Sequence, residues 1–429
     1  MKRALSSTER GMWIGARVVP INFAMAFRVR GTFSPAQFRQ ALEQVKKRHP
    51  LAAARIVEEN GRAYFTDRAA APFPVQILER HSDQDWVSQT EKELFQPFCW
   101  ETGPFVRFVW LRSDEVSDII MTCHHGVADG LAAVYLIRDL LHQLGQPGSE
   151  IEPRPFPPGL EDLVPQAFKD KLSVRAKSRL INWGAKMWLF FRRLGKKSGN
   201  GRQTGELWRC FALPWSLTQE QTSAVVARCR QEGTTVHGAL CAAFLSTFAD
   251  IRRDKWVRRI SSPINLRDRL AAPAQDAFGV YISLQKISAD CAPERDFWQV
   301  ARDVRHNFNH QMTDRALLGW VMTMHAMAHD MSNEDMLENF DESFFKIDYD
   351  LSISNLGRLD IPMEYGPLRL ETMYGPIVYG TPEETVLGVN TVSGQMFFTL
   401  VFPETTMDAE MAQRIKDGAM ECLRKAVGW

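Results

Sequence analysis

Between residues 118 and 144 the chain reads DIIMTCHHGVADGLAAVYLIRDLLHQL. The opening DIIMTC has strand composition, LAAVYLIRDLLHQL has the apolar spacing of a helix, and the short stretch His124 to Gly130 joins them. This junction constrains the fold more than any other stretch. A strand that turns into a helix across a tight loop belongs to a mixed α/β layer and projects the loop's side chains from the strand's end. An imidazole is the side chain whose neutral form takes a proton near pH 7, so a histidine placed there suits a general base. Gly126 and Gly130 give backbone freedom on either side. Asp129 lies too close in sequence to His125 for a relaxed relay and is expected to anchor the loop through an ion pair. A His-His pair at a strand end is equally compatible with a hydrogen-bonded interior feature.

At 429 residues the chain exceeds what one hydrophobic core usually supports, so two lobes are expected. Before the motif, INFAMAFRVRG reads as a strand and Ser34 to Arg48 as an amphipathic helix with a Ser-Pro start. The proline-rich stretch 147–165 breaks regular structure and closes a first lobe, residues 1–165. A crossover segment, 166–205, comes next. Within it, Lys169 to Arg202 carries eleven basic residues and one acid, interleaved with Trp183, Met187, Trp188, Phe190, Phe191 and Leu194. Such a helix packs its aromatics on the protein and solvates its cations; the alternative is peripheral contact with an anionic membrane through 169–202, carried by Arg192, Arg193 and Lys196. The second lobe, 206–429, has strand-like LWRCFALP, SSPINLRDRL, FGVYISLQKI, YDLSISNLG and QMFFTLVFP, with helices between them and a final helix in DAEMAQRIKDGAMECLRKAV.

HHGVADG resembles the HHxxxDG signature of the acyltransferase superfamily that includes chloramphenicol acetyltransferase, nonribosomal peptide condensation domains, wax ester synthases, the plant BAHD enzymes and mycobacterial polyketide-associated acyltransferases. Further likenesses keep the family's order: SSTERGMW, RHP at Arg48 to Pro50, GTTVHGALCAAF before PINLR, then FGVYIS and SNLG. The resemblance implies an α/β fold of two chloramphenicol-acetyltransferase-like lobes, mixed sheets flanked by helices, in a V-shaped pseudo-dimer with an interlobe tunnel. It makes His125 the base that takes a proton from an alcohol or amine attacking a thioester, without an acyl-enzyme. His124 then supports the loop, Asp129 is structural, Gly130 belongs to the motif, and Arg267 is the candidate partner of Asp129 rather than a solvated neighbour of Arg269. By likeness to the serine of carnitine acyltransferases, Ser352, Ser354 and Asn355 are candidate oxyanion or substrate-binding groups, although a turn after a strand selects Ser-Asn-Leu-Gly for its geometry alone.

Departures narrow the expectation. The plant DFGWG is absent, PLAAARI stands where condensation domains have a leucine-arginine-threonine run, and FGVYIS lacks their asparagine. A freestanding acyltransferase using acyl-CoA or an acyl carrier protein is therefore expected ahead of a standalone condensation enzyme or a non-catalytic carrier-binding scaffold. The phosphopantetheine thioester is a co-substrate, and no cofactor or metal is expected. His306 with His310, and His325 with His329, share helix faces but lack the acid a zinc protease motif needs. No G-x-S-x-G elbow, phosphate-binding loop or dinucleotide fingerprint supports other chemistry. A formal charge of +1 gives no field for nucleic acid. Seven scattered cysteines, none in C-x-x-C, fit a reduced cytoplasm, and neither MKRALSSTERGMW nor GALCAAFLSTFA suits a leader or a span. A cytoplasmic monomer acting on a small-molecule acceptor is the expectation.

Overall fold

The computed structural model describes residues 1–171, 180, 208–272, 274–328, 331–339 and 347–429. Apart from 169–171 and 180, the basic stretch 169–202 lies outside the described residues, as does His329. The first half contains β1 (Lys2–Ala4), α1 (Ser7–Gly15), β2 (Asn22–Arg30), α2 (Pro35–Arg48), β3 (Arg55–Glu59), β4 (Arg62–Thr66), β5 (Val75–Glu79), α3 (Asp85–Phe95), β6 (Val106–Arg112), β7 (Val116–His124), α4 (Gly130–Gly145) and α5 (Gln166–Lys169). The second contains β8 (Cys210–Leu217), α6 (Gln219–Gln231), α7 (Val236–Arg252), β9 (Val257–Asn265), β10 (Ile282–Asp290), α8 (Phe297–Gln311), α9 (Asp314–Ala328), α10 (Asn333–Asn339), β11 (Leu351–Arg358), β12 (Glu364–Tyr365), β13 (Leu368–Val378), β14 (Val386–Val392), β15 (Gln395–Pro403) and α11 (Ala409–Val427).

These elements form a mixed α/β fold with two six-stranded sheets flanked by helices, in the orders β12-β13-β2-β7-β6-β5 and β10-β9-β11-β14-β15-β8. A small antiparallel sheet, β1-β4-β3, stands beside the first. Local sequence explains the main elements. Ser34 caps α2 in a reciprocal box with Gln37, Pro35 starts the helix, and Phe38, Ala41, Leu42 and Val45 are buried along one side. Along β2 the side chains alternate in role. Phe23, Met25, Phe27 and Val29 fill the core beneath α2 and α4, whereas Ala24 and Ala26 lie in a cluster with Val386 and Val401 of the second sheet. The small alanines let the second sheet come close.

Chain order and sheet membership do not coincide. β13 pairs with β2 of the first sheet, from Arg369 against Arg30 to Val378 against Phe23. Residues 206–429 therefore contribute to both sheets, and the chain crosses from the second to the first and back. The crossing strand is bulged between Tyr374 and Ile377. At the bulge, Pro376 reaches toward the second sheet so closely that a Cβ on Gly388 would lie 2.1 Å from the Pro376 carbonyl oxygen. Two expected strands also differ. FGVYISLQKI begins its strand only at Ile282, and SSPINLRDRL ends its strand at Asn265 and turns into a short 3-10 helix, Arg267–Arg269.

The Gly388 contact yields a direct test. Gly388→Ala must push backbone against backbone, and overpacking of this kind costs about 1–3 kcal/mol. Urea unfolding should show a lower midpoint with an unchanged slope; an unaltered midpoint would mean that the crossing strand is not clamped there.

Candidate active site

The HHGVADG loop starts where the ladders of β7 with β6 and β2 each run one bond beyond those two strands. The His124 N–H donates to the Phe105 carbonyl (3.0 Å) and the His125 N–H to the Ile21 carbonyl (2.8 Å). The His124 ring then folds back over the loop, its Nδ1 accepting from the Gly126 N–H at 3.0 Å. That bond fixes the tautomer with the proton on Nε2. A Cβ on Gly126 would sit 2.9 Å from two ring atoms of His124, which is why glycine occupies that position. Burial among Phe98 and Phe105 pushes the His124 pKa down to about 3.

His125 has a different environment one residue later. It is partly exposed in a loop whose next four residues are buried, and its ring packs on Phe23 with centroids 4.9 Å apart. Burial of the ring lowers its pKa; the backbone at His125 and Ala128 and the charge of Asp129 work against the lowering. Nδ1 is buried with no partner within hydrogen-bond limits. The imidazole is therefore neutral at pH 7 and able to accept a proton.

Asp129 is the hub. Its Oδ1 accepts from the Ala132 N–H at 2.9 Å, capping α4, and from Arg267 Nη2 at 3.0 Å. Its Oδ2 accepts from Arg267 Nη1 at 2.8 Å and from the Tyr281 N–H at 2.9 Å. The Asp129 N–H donates to the Gly279 carbonyl at 3.1 Å. Four accepted hydrogen bonds occupy the lone-pair sites of one carboxylate, so none remains for His125. Phe278 to Tyr281, read from the sequence as strand, is thus a loop laid on Asp129.

The same loop is tied down a second time, by residues that the sequence reading did not single out as a site. Asp276 accepts from Arg48 (2.9 Å) and Arg138 (3.1 Å) and pairs with Arg154. Asp139 accepts from Arg48 Nε (2.8 Å), Arg138 Nε (2.8 Å) and His49 Nε2 (2.9 Å). The only sequence signal for this cluster was RHP, whose arginine and histidine both take part.

The candidate oxyanion residues lie on β11. Leu351 and Ile353 point into the second lobe's core, so Ser352, Ser354 and Leu356 share the opposite face. Ser354 pairs with Gly388, and Gly388 with Thr399 across the next strand. Leu356 reaches the motif itself, lying 2.8 Å from where a Gly130 Cβ would stand, with Pro376 Cγ at 3.4 Å. Ser352 and Ser354 are buried, 8% and 9% exposed, whereas Asn355 Oδ1 accepts from the Gly357 N–H at 2.8 Å in a local turn. Of the histidine pairs, His306 and His310 bond to each other through Nε2 (3.0 Å) and His325 bonds to Ser7 (2.9 Å). Among the described residues no group of three or more His, Cys, Asp or Glu could hold a metal ion.

Two family models match in tandem: "Condensation domain" over residues 3–164 and "Phthiocerol/phthiodiolone dimycocerosyl transferase C-terminus" over residues 214–396. The chain belongs to the condensation-domain and acyltransferase superfamily. The first match contains HHGVADG and the second contains Arg267, Ser354 and Gly388, so the superfamily's two parts meet at Asp129. Curated relatives include a linear gramicidin synthase of Brevibacillus parabrevis, 21% identical over 70% of this chain, and polyketide synthase PksN of Bacillus subtilis (strain 168), 26% identical over 36%. The matched regions cover 6% and 3% of those proteins. Among solved structures, trichothecene 15-O-acetyltransferase TRI3 from Fusarium sporotrichioides aligns over 99% of this chain and 95% of its own (TM-score 0.71, 12% identity). Polyketide synthase associated protein 5 from Mycobacterium tuberculosis aligns over 99% and 98% (0.67, 13%), and the first condensation domain of the CDA synthetase over 100% and 97% (0.71, 13%). These superfamily members share the two-lobed fold.

Two measurements test the site's electrostatics. Arg267→Met leaves Asp129 buried without its counter-charge, which costs about 3–5 kcal/mol in chemical unfolding, while pairing it with Asp129→Leu should recover much of that loss; equal destabilisation by the single and double variants would contradict the assignment. The second concerns pH. The folded pKa of His124, about 3, lies below the ordinary value near 6.5, so its contribution is full above about pH 6.5 and is lost as pH falls towards 3. His237, pushed by burial to about 4, acts in the same direction. His124→Asn, whose side-chain oxygen can still accept from the Gly126 N–H, should flatten the fall of unfolding free energy between pH 6.5 and 4 by up to about 1.4 kcal/mol per pH unit.

Proposed function

We propose that the protein transfers an acyl group from a thioester to an alcohol or amine, with His125 as general base. The observation that carries this reading is the contrast within the histidine pair. His124 is spent on the loop, while His125 is neutral, partly exposed and fixed by a loop whose aspartate is saturated from both halves. With Nδ1 buried, Nε2 is the ring nitrogen left to meet a substrate. The acceptor's O–H or N–H gives its proton to Nε2 as its heteroatom bonds to the thioester carbonyl carbon. As the C–S bond breaks, the same proton passes to the departing thiolate, so no acyl-enzyme forms. Negative charge on the carbonyl oxygen calls for a nearby donor, and the hydroxyls of Ser352 and Ser354, on the strand face shared with Leu356, which reaches Gly130, are the candidates for it.

The thioester, on coenzyme A or on the phosphopantetheine of a carrier protein, is a co-substrate. Donor and acceptor reach His125 along the seam between the two sheets. Relatives within large synthases, and the condensation-domain match over 3–164, favour a second reading in which both substrates ride on carrier proteins and the product is an amide. No single described helix is long and apolar enough to cross a membrane.

Thiol release from a panel of acyl-coenzyme A thioesters, each offered with alcohols and amines, and in parallel from an acyl-loaded carrier protein followed by intact mass, tests the proposal. His125→Ala should lower the rate by about 10²- to 10⁴-fold, the span typical of a lost general base. Equal release by wild type and variant would remove His125 from the mechanism. Carrier binding without turnover by either protein would favour a scaffold.

A further inference from the structure

The geometry points to Asn390 as a positioning residue for the HHGVADG loop, acting from the second sheet through the crossing strand. This rests on the acyl-transfer reading only for its kinetic consequence. Asn390 sits in β14 with no solvent exposure. Its Nδ2 donates to two carbonyls of the crossing strand, Met373 at 3.1 Å and Gly375 at 3.0 Å. Those two bonds flank Tyr374, and the second reaches the bulge itself, where the register between β13 and β2 breaks after Tyr374.

Gly375 has a φ of +128°, and a Cβ there would meet Met25 Sδ at 2.7 Å and the Ala24 carbonyl oxygen at 2.9 Å, so the bulge is pressed against β2 on one side. On the other side Pro376 rests on Gly388, two residues before Asn390 on the same strand. Pro376 also faces Gly130, the first residue of α4 and the neighbour of Asp129. Asn390 therefore fixes the height of a strand whose next residue packs on the N-terminus of the catalytic helix. Nothing else among the described residues donates a side-chain hydrogen bond to Met373 or Gly375. If this pin is removed, Pro376 is free to shift, and Gly130, Asp129 and the loop carrying His125 shift with it.

The test is Asn390→Leu, which keeps the volume and removes both donors, alongside Asn390→Ser, which keeps one hydroxyl donor should the leucine variant fail to fold. The first readout needs no substrate: titration of the His125 ring by NMR on histidine-labelled full-length protein, assigned by comparison with His125→Gln. Asn390→Leu should move the His125 midpoint up towards the ordinary histidine range, with Asn390→Ser in between. The second is kinetic. With the thioester panel, kcat should fall by about 10- to 100-fold, the size of effect expected from a displacement of about 1 Å, while KM changes little. Lower thermal stability with an unmoved His125 titration in both variants would overturn the proposal and leave Asn390 as a packing residue. A moved titration in a protein that shows no acyl transfer would uphold the positioning role and count against the function instead.

Discussion

The structure depends on one buried ion pair. Asp129 and Arg267 are both about 3% exposed, and taking two charges out of water is costly unless their remaining hydrogen-bonding capacity is met. Here the carboxylate's is met in full, by two guanidinium N–H groups, the Ala132 N–H and the Tyr281 N–H. Arg267 gives its other Nη donors to Asn265 Oδ1 and the Ala277 carbonyl, its buried Nε meets no hydrogen-bond partner among the described residues, and its guanidinium lies 5.0 Å from the Tyr281 ring. A bidentate pair fixes two planes relative to each other, so it sets orientation as well as distance. The pair contributes register: it ties the loop that succeeds β9 to the first turn of α4, and α4 starts where the histidine loop ends.

That constraint explains how two adjacent histidines come to do different things. The residue type is the same, and the two differ only in where they stand relative to the end of the strand. His124 is the last residue of β7, so its ring lies on one side of the sheet's end, among Phe98 and Phe105, with a backbone N–H for a partner. His125 has left the ladder, and its ring lies on the side of Phe23. Because Asp129 is fully engaged, by Ala132 of its own half and by Arg267 and Tyr281 of the second, it influences His125 by charge and by anchoring the turn, not by a shared proton. A loop held at its start by two strand bonds and at its end by a saturated carboxylate leaves the imidazole few ways to drift.

Much of this was legible in the residues. The strand, loop and helix of 118–144 came from composition and period, because apolar runs of that kind report burial directly. The pairing of Arg267 with Asp129 came from resemblance, since no local pattern links residues 138 apart in the chain. Other features were hidden for physical reasons. LRLETMYGPIV is broken by Gly375 and Pro376, so its alternation fails where the strand bulges, and nothing local says that its partner is β2. Phe278 to Tyr281 has the composition of a strand, but its backbone serves one carboxylate instead of a ladder. Arg48, Arg138, Arg154 and Asp276 read as solvated charges one at a time. Only the fold makes them a cluster. Asn390 lay in a run of valines and glycines, where a lone amide gives no sign that its two N–H groups hold a neighbouring strand.

The crossing of β12 and β13 also limits how far the two sheets can move apart. In a protein whose lobes are separate stretches of chain, a hinge between them can open wide around a substrate. Here opening the first sheet away from the second would have to stretch the segments between β11 and β12 and between β13 and β14, or peel β13 from β2. Peeling would break a long antiparallel ladder and expose Leu370, Met373 and Ile377, all fully buried. The two ties to the loop after β9, at Asp129 and at Asp276, oppose the same motion from the other side. The two sheets are therefore held together around the HHGVADG loop by covalent crossings and ion pairs at once.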